Sequence, residues 1–152
     1  MGLEIATRDS WKTQPMPERQ VRLQLDRFFS PEEYRRLYLG LVPQQMEDKW
    51  FIYFEGEWLY FHRSWTGVCI YQVRLKAAGG GYQAAEAWVN RHPQQYKSTD
   101  DDYDATLLHY LIDWLLLAQD VPFPSPAHTS QDLKPIHRHH VVGYGRANDE
   151  ST

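Results

Sequence analysis

The sequence predicts an α+β fold: an antiparallel four- to five-stranded meander packed by one long and one short helix. Three observations predict it. Residues 49–75 (KWFIYFEGEWLYFHRSWTGVCIYQVRL) are aromatic and β-branched and are interrupted twice by Gly-containing connections. That is the signature of consecutive hairpins. Residues 100–119 place Leu107, Leu108, Leu111, Ile112, Trp114, Leu115 and Leu116 on one wide helical face. Ser30-Pro31-Glu32-Glu33 carries a capping Ser, a Pro suited to the first helical position and a Glu completing a capping box.

Taken in order, residues 1–18 are polar, contain Pro15 and Pro17, and read as a flexible lead-in. Val21, Leu23 and Leu25 alternate, so residues 19–29 hold a short strand that pairs with the edge of the meander. The short helix runs from Pro31 through Leu37 to a stop near Gly40. The meander strands are expected at 49–55, 58–63 and 68–75. A turn at 76–81 is built on Gly79-Gly80-Gly81. The alanines of residues 82–90 suit a helix, but their place between turn signals reads as a fourth strand. The long helix begins among Asp100, Asp101, Asp102 and Asp104, which suit the positive end of its dipole, and ends before the prolines of 122–126. The domain is therefore expected over 19–126, followed by a polar, His-containing segment over 127–152.

Period two puts Trp50, Ile52 and Phe54 on one face of the first strand and Phe51 and Tyr53 on the other. Leu59 and Phe61 oppose Trp58, Tyr60 and His62 in the second. Val68, Ile70 and Gln72 oppose Cys69, Tyr71 and Val73 in the third. A sheet covered on one side alternates apolar with polar residues. This one is apolar on both faces, so the second face is also covered or binds something.

Composition narrows the function. The chain has 152 residues, formal net charge -4 and 14% aromatic residues. Its pI is about 5.9. There is no bulk attraction to nucleic acid or to an anionic membrane. No apolar run approaches the ~20 residues that span a bilayer. The N-terminus lacks a signal-peptide pattern, and Gly2 with Thr7 matches the myristoylation motif only in part. The single Cys69 has no disulfide partner, and this favours a cytoplasmic location and a buried, inert thiol.

Four clusters carry candidate chemistry. In the first, residues 62–67 crowd His62, Arg63, Ser64 and Trp65 into one hairpin connection. A turn tryptophan suits stacking, Arg63 suits a phosphate or carboxylate, and His62 suits acid–base work. In the competing reading Trp65 folds back over the core and Arg63 pairs with Glu55 or Glu57. The second cluster holds Glu86, Asn90, Arg91 and His92. Strands two and four run the same way, so Asn90 and Arg91 reach the sheet end that carries Arg63. A polar rim of Arg63, Ser64, Trp65, Asn90 and Arg91 would fit an anionic planar ligand such as a nucleotide. The third, Asp100 to Asp104, lacks the Gly and Glu of a calcium loop and reads as helix electrostatics. The fourth, His137, His139 and His140 with Arg138 between and His128 nearby, has no zinc frame and reads as a surface segment. No nucleophile elbow or phosphate loop is present, and neither a metal site nor a cofactor is named by the sequence.

Residues 46–75 and 89–117 (MEDKWFIYFEGEWLYFHRSWTGVCIYQVRL and VNRHPQQYKSTDDDYDATLLHYLIDWLLL) resemble a small uncharacterised bacterial family whose segments accompany ADP-ribosylglycohydrolase-type proteins. The resemblance covers residues 46–117 and transfers no catalytic motif. The acidic metal-binding signatures of such a catalytic domain are not evident. What it implies is a neighbourhood in ADP-ribose or NAD metabolism, or in bacterial conflict systems.

Three functions follow as expectations. The first is a non-catalytic binding or accessory module that uses the aromatic and arginine rim to bind an anionic planar ligand or a protein partner. The second is a small enzyme acting on a nucleotide or ADP-ribose-like substrate, with His62 or Glu86 as acid–base. The third is a structural protein that buries its second sheet face in a homo-oligomer.

Overall fold

The computed structural model describes residues 5–117. Six antiparallel strands form one sheet: β1 (Gln20–Leu23), β2 (Phe28–Phe29), β3 (Trp50–Glu55), β4 (Trp58–Arg63), β5 (Cys69–Ala78) and β6 (Gly81–Asn90). The order across the sheet is β1-β6-β5-β4-β3, and β2 also pairs with β6. The meander β3 to β6 is thus continuous, and residues 82–90 are strand. The alternating stretch near Val21 supplies β1 and β2, both on the outer edge of β6.

The hairpins close where the sequence places its glycines. Glu55 pairs with Trp58 across Gly56 (φ 56) and Glu57 (φ 77), a two-residue loop with both residues at positive φ. Such loops match the right-handed twist of the strands they join. Ala78 pairs with Gly81 across Gly79 and Gly80 in the same way, so β5 runs three residues further than residues 68–75 suggest.

Helix α1 (Pro31–Leu39) begins as expected: the Glu33 amide donates to Ser30 Oγ at 3.1 Å, and the Ser30 amide donates to Glu33 Oε1 at 3.0 Å. Helix α2 (Asp101–Leu111) is capped by Asp100, whose carboxylate accepts from the Tyr103 amide at 3.0 Å. It continues into a π turn over Ile112–Leu116. Both helices lie on one face of the sheet. There Trp50, Ile52, Leu59, Phe61, Tyr71, Val73 and Val89 form one core with Leu37, Leu108, Leu111 and Ile112.

The strand alternation breaks twice among the described residues: between β4 and β5, and between β5 and β6, where Arg74 pairs with Glu86 and Leu75 with Ala84, leaving Ala85 as an extra residue in β6. At the first break, Phe61 pairs with Tyr71 but His62 pairs with Cys69, leaving Ile70 as an extra residue in β5. This bulge separates Cys69 from Tyr71 and Val73, which strict period two puts on one face. Tyr71 and Val73 enter the helix-side core, whereas Cys69 sits beside His62 on the opposite face.

That opposite face is covered by the chain's own N-terminal segment. Residues 5–18, read from the sequence as a flexible lead-in, cross the sheet as a strap. The Ala6 amide donates to Leu39 O at 2.9 Å and the Gln14 amide to Gly67 O at 2.8 Å. Trp11 Nε1–H donates to Ser64 O at 2.7 Å, and Arg8 pairs with Glu55 at 3.1 Å. Ala6 packs with Phe51 and Tyr53 in a second, smaller core. The segments over 118–152, including His128, His137, His139 and His140, lie outside the described residues.

The connection from β6 to α2 is held by one carboxylate. Asp104 is fully buried. It accepts from Tyr71 Oη at 2.7 Å, Tyr96 Oη at 2.5 Å and Ser98 Oγ at 2.9 Å, and it pairs with Arg91 Nη1 at 2.8 Å. Four donors saturate the acceptor sites of a carboxylate, which is what makes its burial tolerable. Burial pushes the Tyr71 and Tyr96 phenols well up, so both remain donors. Replacing Asp104 by Ala removes the buried acceptor that Tyr71, Tyr96, Ser98 and Arg91 share. Urea unfolding should show a loss of about 3–5 kcal/mol, against about 1 kcal/mol for removing the exposed cap in Asp100→Ala. Equal losses at the two sites would contradict this assignment.

Candidate functional site

Arg63 and Asn90-Arg91 do reach one end of the sheet, because β4 and β6 run in the same direction on either side of β5. Their side chains then do different work. Ser64 is buried and donates from Oγ to Asp48 O at 2.6 Å. Asn90 is buried too: its Nδ2 donates to Cys69 O at 2.8 Å and Gln95 Oε1 at 2.9 Å, and its Oδ1 accepts from the His92 amide at 2.7 Å. Arg91 is held by Asp104 and, at 2.5 Å, by Asp101. These three are fastenings for the loops, and the five-residue rim reduces to Arg63 and Trp65.

Those two residues acquire neighbours that sequence reasoning passed over. Trp65 is 61% exposed, so it does not fold back over the core. Its Nε1–H donates to Met46 O at 2.9 Å, which sets the indole upright between two hollows. On one side Trp11, Pro43, Met46 and Trp65 line an apolar groove of about 510 Å³, with Lys12 at its border. On the other, Lys49, Arg63, Trp65, Thr66 and Gln95 line a hollow of about 270 Å³. Lys49 Nζ lies 5.7 Å from the Trp65 ring centre, and the Arg63 guanidinium stacks 4.9 Å from that of Trp50. Arg63 does not pair with Glu55 or Glu57: it stands opposite Trp50, at the far end of the β3–β4 hairpin from both, and those carboxylates pair with Arg8 and Arg74. Among the described residues neither Lys49 nor Arg63 forms an ion pair.

The acid–base candidates are not brought together. His62 is buried, with its ring stacked on Tyr53 at 5.6 Å and 17°. Its Nδ1 lies 2.9 Å from Gly67 O. A carbonyl only accepts, so Nδ1 carries the proton and Nε2 keeps a lone pair, which has no partner among the described residues. Glu86 shares this sheet face but sits level with Arg74 and Trp58, two strands over and four residues along. That is about 16 Å from His62 by strand geometry. The Trp88 indole N–H at 3.1 Å and Arg74 at 3.2 Å hold its carboxyl below the usual range.

The remaining acidic cluster is dispersed. Asp100 caps α2, Asp101 pairs with Arg91, and Asp104 is the buried acceptor. Among the described residues no group of three His, Cys, Asp or Glu side chains is placed to hold a metal ion. No helix among them is long and apolar enough to cross a membrane. Burial pushes the Cys69 thiol up to about 12, so it is no nucleophile at neutral pH.

No protein-family model, curated protein or solved structure matches this chain.

Two histidines give the protein a defined pH response. Burial lowers the pKa of His62, and burial together with the charge of Arg27 lowers that of His109. Arg27 can only donate, so His109 Nδ1, 3.1 Å from Arg27 Nη1, must be the acceptor and the ring neutral. Both rings bind protons more readily in the unfolded chain. Their contribution to stability is complete above the unfolded value of about 6.5 and is lost as pH falls through the folded values. The urea midpoint should therefore drop between pH 7 and pH 5. His109→Gln, which keeps an acceptor for Arg27, should flatten part of that drop. A midpoint that is constant or rises toward pH 5 would refute it.

Proposed function

We propose that this protein is a non-catalytic binding module whose Trp65 rim takes an acidic partner segment carrying an apolar anchor. The observation that supports this most is the placing of an exposed indole between an apolar groove and a hollow flanked by two cations that form no ion pair among the described residues. Trp and Met at a rigid surface are typical binding anchors, and isolated exposed apolar residues of this size in a cluster mark interaction sites. Met46 is 73% exposed beside Trp65, so the apolar surface is continuous from one hollow to the next. Lys12, Lys49 and Arg63 border it, which favours carboxylates on the segment that docks there. An anchor side chain would fill the groove while a neighbouring carboxylate meets Lys49 and Arg63.

An enzyme using His62 and Glu86 has no support from their separation. Self-association through the second sheet face is disfavoured because the strap already occupies it. A nucleotide or ADP-ribose-like anion seated in the smaller hollow is the competing ligand, since an indole and two cations also suit a planar anion.

The test is a selection of short random peptides on the immobilised protein, followed by affinity measurement in solution. Enriched peptides should combine Asp or Glu with an aromatic or large aliphatic residue. Trp65→Ala should weaken the best of them by about 2 kcal/mol or more, roughly thirtyfold. Reversing both charges in Lys49→Glu with Arg63→Glu should weaken it further, and added salt should act in the same direction. Peptides without acidic bias, or binding indifferent to Trp65→Ala, would defeat the proposal. Adenosine monophosphate binding that depends on Arg63, with no acidic peptide recovered, would assign the rim to a small molecule instead.

A further inference from the structure

The strap is clasped to the sheet through a carbonyl that a buried histidine also holds. Gly67 O accepts from the Gln14 amide at 2.8 Å and from His62 Nδ1–H at 2.9 Å. Strap and connection pass so closely here that a Cβ on Gly67 would stand 3.1 Å from Lys12 O. Gln14 Nε2 donates to Thr66 O at 2.9 Å and Trp11 Nε1 to Ser64 O at 2.7 Å, which completes the clasp. Beside it is a chamber of about 510 Å³ that Gln14 and Met16 of the strap share with His62, Cys69, Tyr53 and Tyr60.

His62 is neutral in this arrangement, and a second proton has one place to go. Nδ1 is engaged, so it would join Nε2, at the end of the ring away from the backbone. That atom is buried and has no partner among the described residues. A proton there creates a charge with neither water nor an acceptor. The ring is stacked on Tyr53 and lies 6.1 Å from Phe51, so it does not turn outward without breaking that packing. Nor do the titratable groups around it compensate. Burial keeps Tyr53 on β3, Tyr60 on β4 and Cys69 on β5 un-ionised, the first and last pushed up to about 12. Arg8, the charged strap side chain on the chamber lining, is itself a cation. Its partner Glu55 stands four residues along β3 from Phe51, the residue opposite His62. Water is what an Nε2–H needs, and the layer over this face that can move without breaking the sheet is the strap.

We propose that the strap is a proton-released cover: protonation of His62 at Nε2 unclasps residues 11–16 from the 64–67 connection while the sheet stays folded. Opening admits water to the new N–H, uncovers the Tyr53 and Tyr60 face, and takes Trp11 from the wall of the apolar groove beside Trp65. With the strap open the ring titrates near its ordinary value of about 6.5, and with the strap closed it titrates lower. The closed form is therefore favoured above about pH 6.5 and loses ground as pH falls below it. The coupling is reciprocal, so anything that loosens the strap makes His62 easier to protonate.

Amide exchange of the whole chain at pH 7 and pH 5.5, referred at each pH to unstructured-chain rates, tests this. At both values Gln14 should exchange faster than the amides of β5, which is paired on both sides, because the strap opens by itself. Its protection should fall on the order of tenfold between the two. In His62→Phe, which keeps a ring against Tyr53, that fall should disappear. A second variant, Gln14→Pro, removes the amide and the side-chain donor together. There the NMR signals of the His62 ring should titrate closer to pH 6.5 than in the parent chain. The proposal is overturned if Gln14 and β5 exchange at one common rate, or if Gln14 is equally protected at both pH values. It is equally overturned if the fall persists in His62→Phe, or if His62 titrates alike in the parent and in Gln14→Pro.

Discussion

The meander is aromatic on both faces, and water must be kept from both. Everything else in the architecture follows from this constraint. Strands that place Trp50, Ile52 and Phe61 on one side and Phe51, Tyr53 and Tyr60 on the other need two covers. The helix pair supplies one, with Leu37, Leu108, Leu111 and Ile112 buried against the sheet. The strap over residues 5–18 supplies the other, but with a thinner layer that seals Phe51 under Ala6 and leaves a chamber further along. Covering one large apolar side chain is worth about 1.5–3 kcal/mol. The polar composition of the strap is therefore no obstacle to docking, provided that its backbone groups find partners. Leu39 O and Gly67 O accept from two of its amides.

The same fastening shapes the rim. Trp11 and Gln14 tie the strap to the β4–β5 connection, and Ser64 ties that connection to Asp48. With its backbone held on both sides, the connection projects Trp65 outward. On the opposite cover, the Asp104 carboxylate draws Arg91, Tyr71, Tyr96 and Ser98 into one buried set. Arg91 is thereby withdrawn from any ligand, while Arg63, stacked on Trp50, meets no carboxylate among the described residues. Two arginines at one sheet end thus have opposite fates, decided by which of them has a buried acid within reach.

Much of this was legible in the sequence. The hairpin glycines, the capping box at Ser30 and the apolar face of α2 each rest on short-range chemistry, and each element stands where that chemistry puts it. The two-sided aromatic pattern announced that a second cover or ligand must exist. What occupied that face was not legible, because the strap docks through backbone amides, the side chains of Arg8, Trp11 and Gln14, and one alanine, which leave no hydrophobic periodicity. The bulge at Ile70 was hidden for a related reason, since an inserted residue in the apolar stretch Val68-Cys69-Ile70-Tyr71 leaves no polar mark. Asp104 was indistinguishable from its three acidic neighbours, as its burial depends on Tyr71 and Tyr96 from distant segments. For the rim, Trp65 and Arg63 stood out by residue type at a turn. Lys49, Met46 and Trp11 join them only through folding, and Ser64, Asn90 and Arg91 leave by the same route.

The claim that the N-terminal strap is the second cover of the sheet can be tested directly by amide hydrogen exchange. The Ala6 and Gln14 amides, bonded to Leu39 O and Gly67 O, should exchange well below the rates of an unstructured chain. They should do so in the same conditions in which Arg19 and the strand β5 stay folded. Exchange of both at unstructured rates, with β5 still protected, would contradict the account: the second face would then be open and its chamber without a roof.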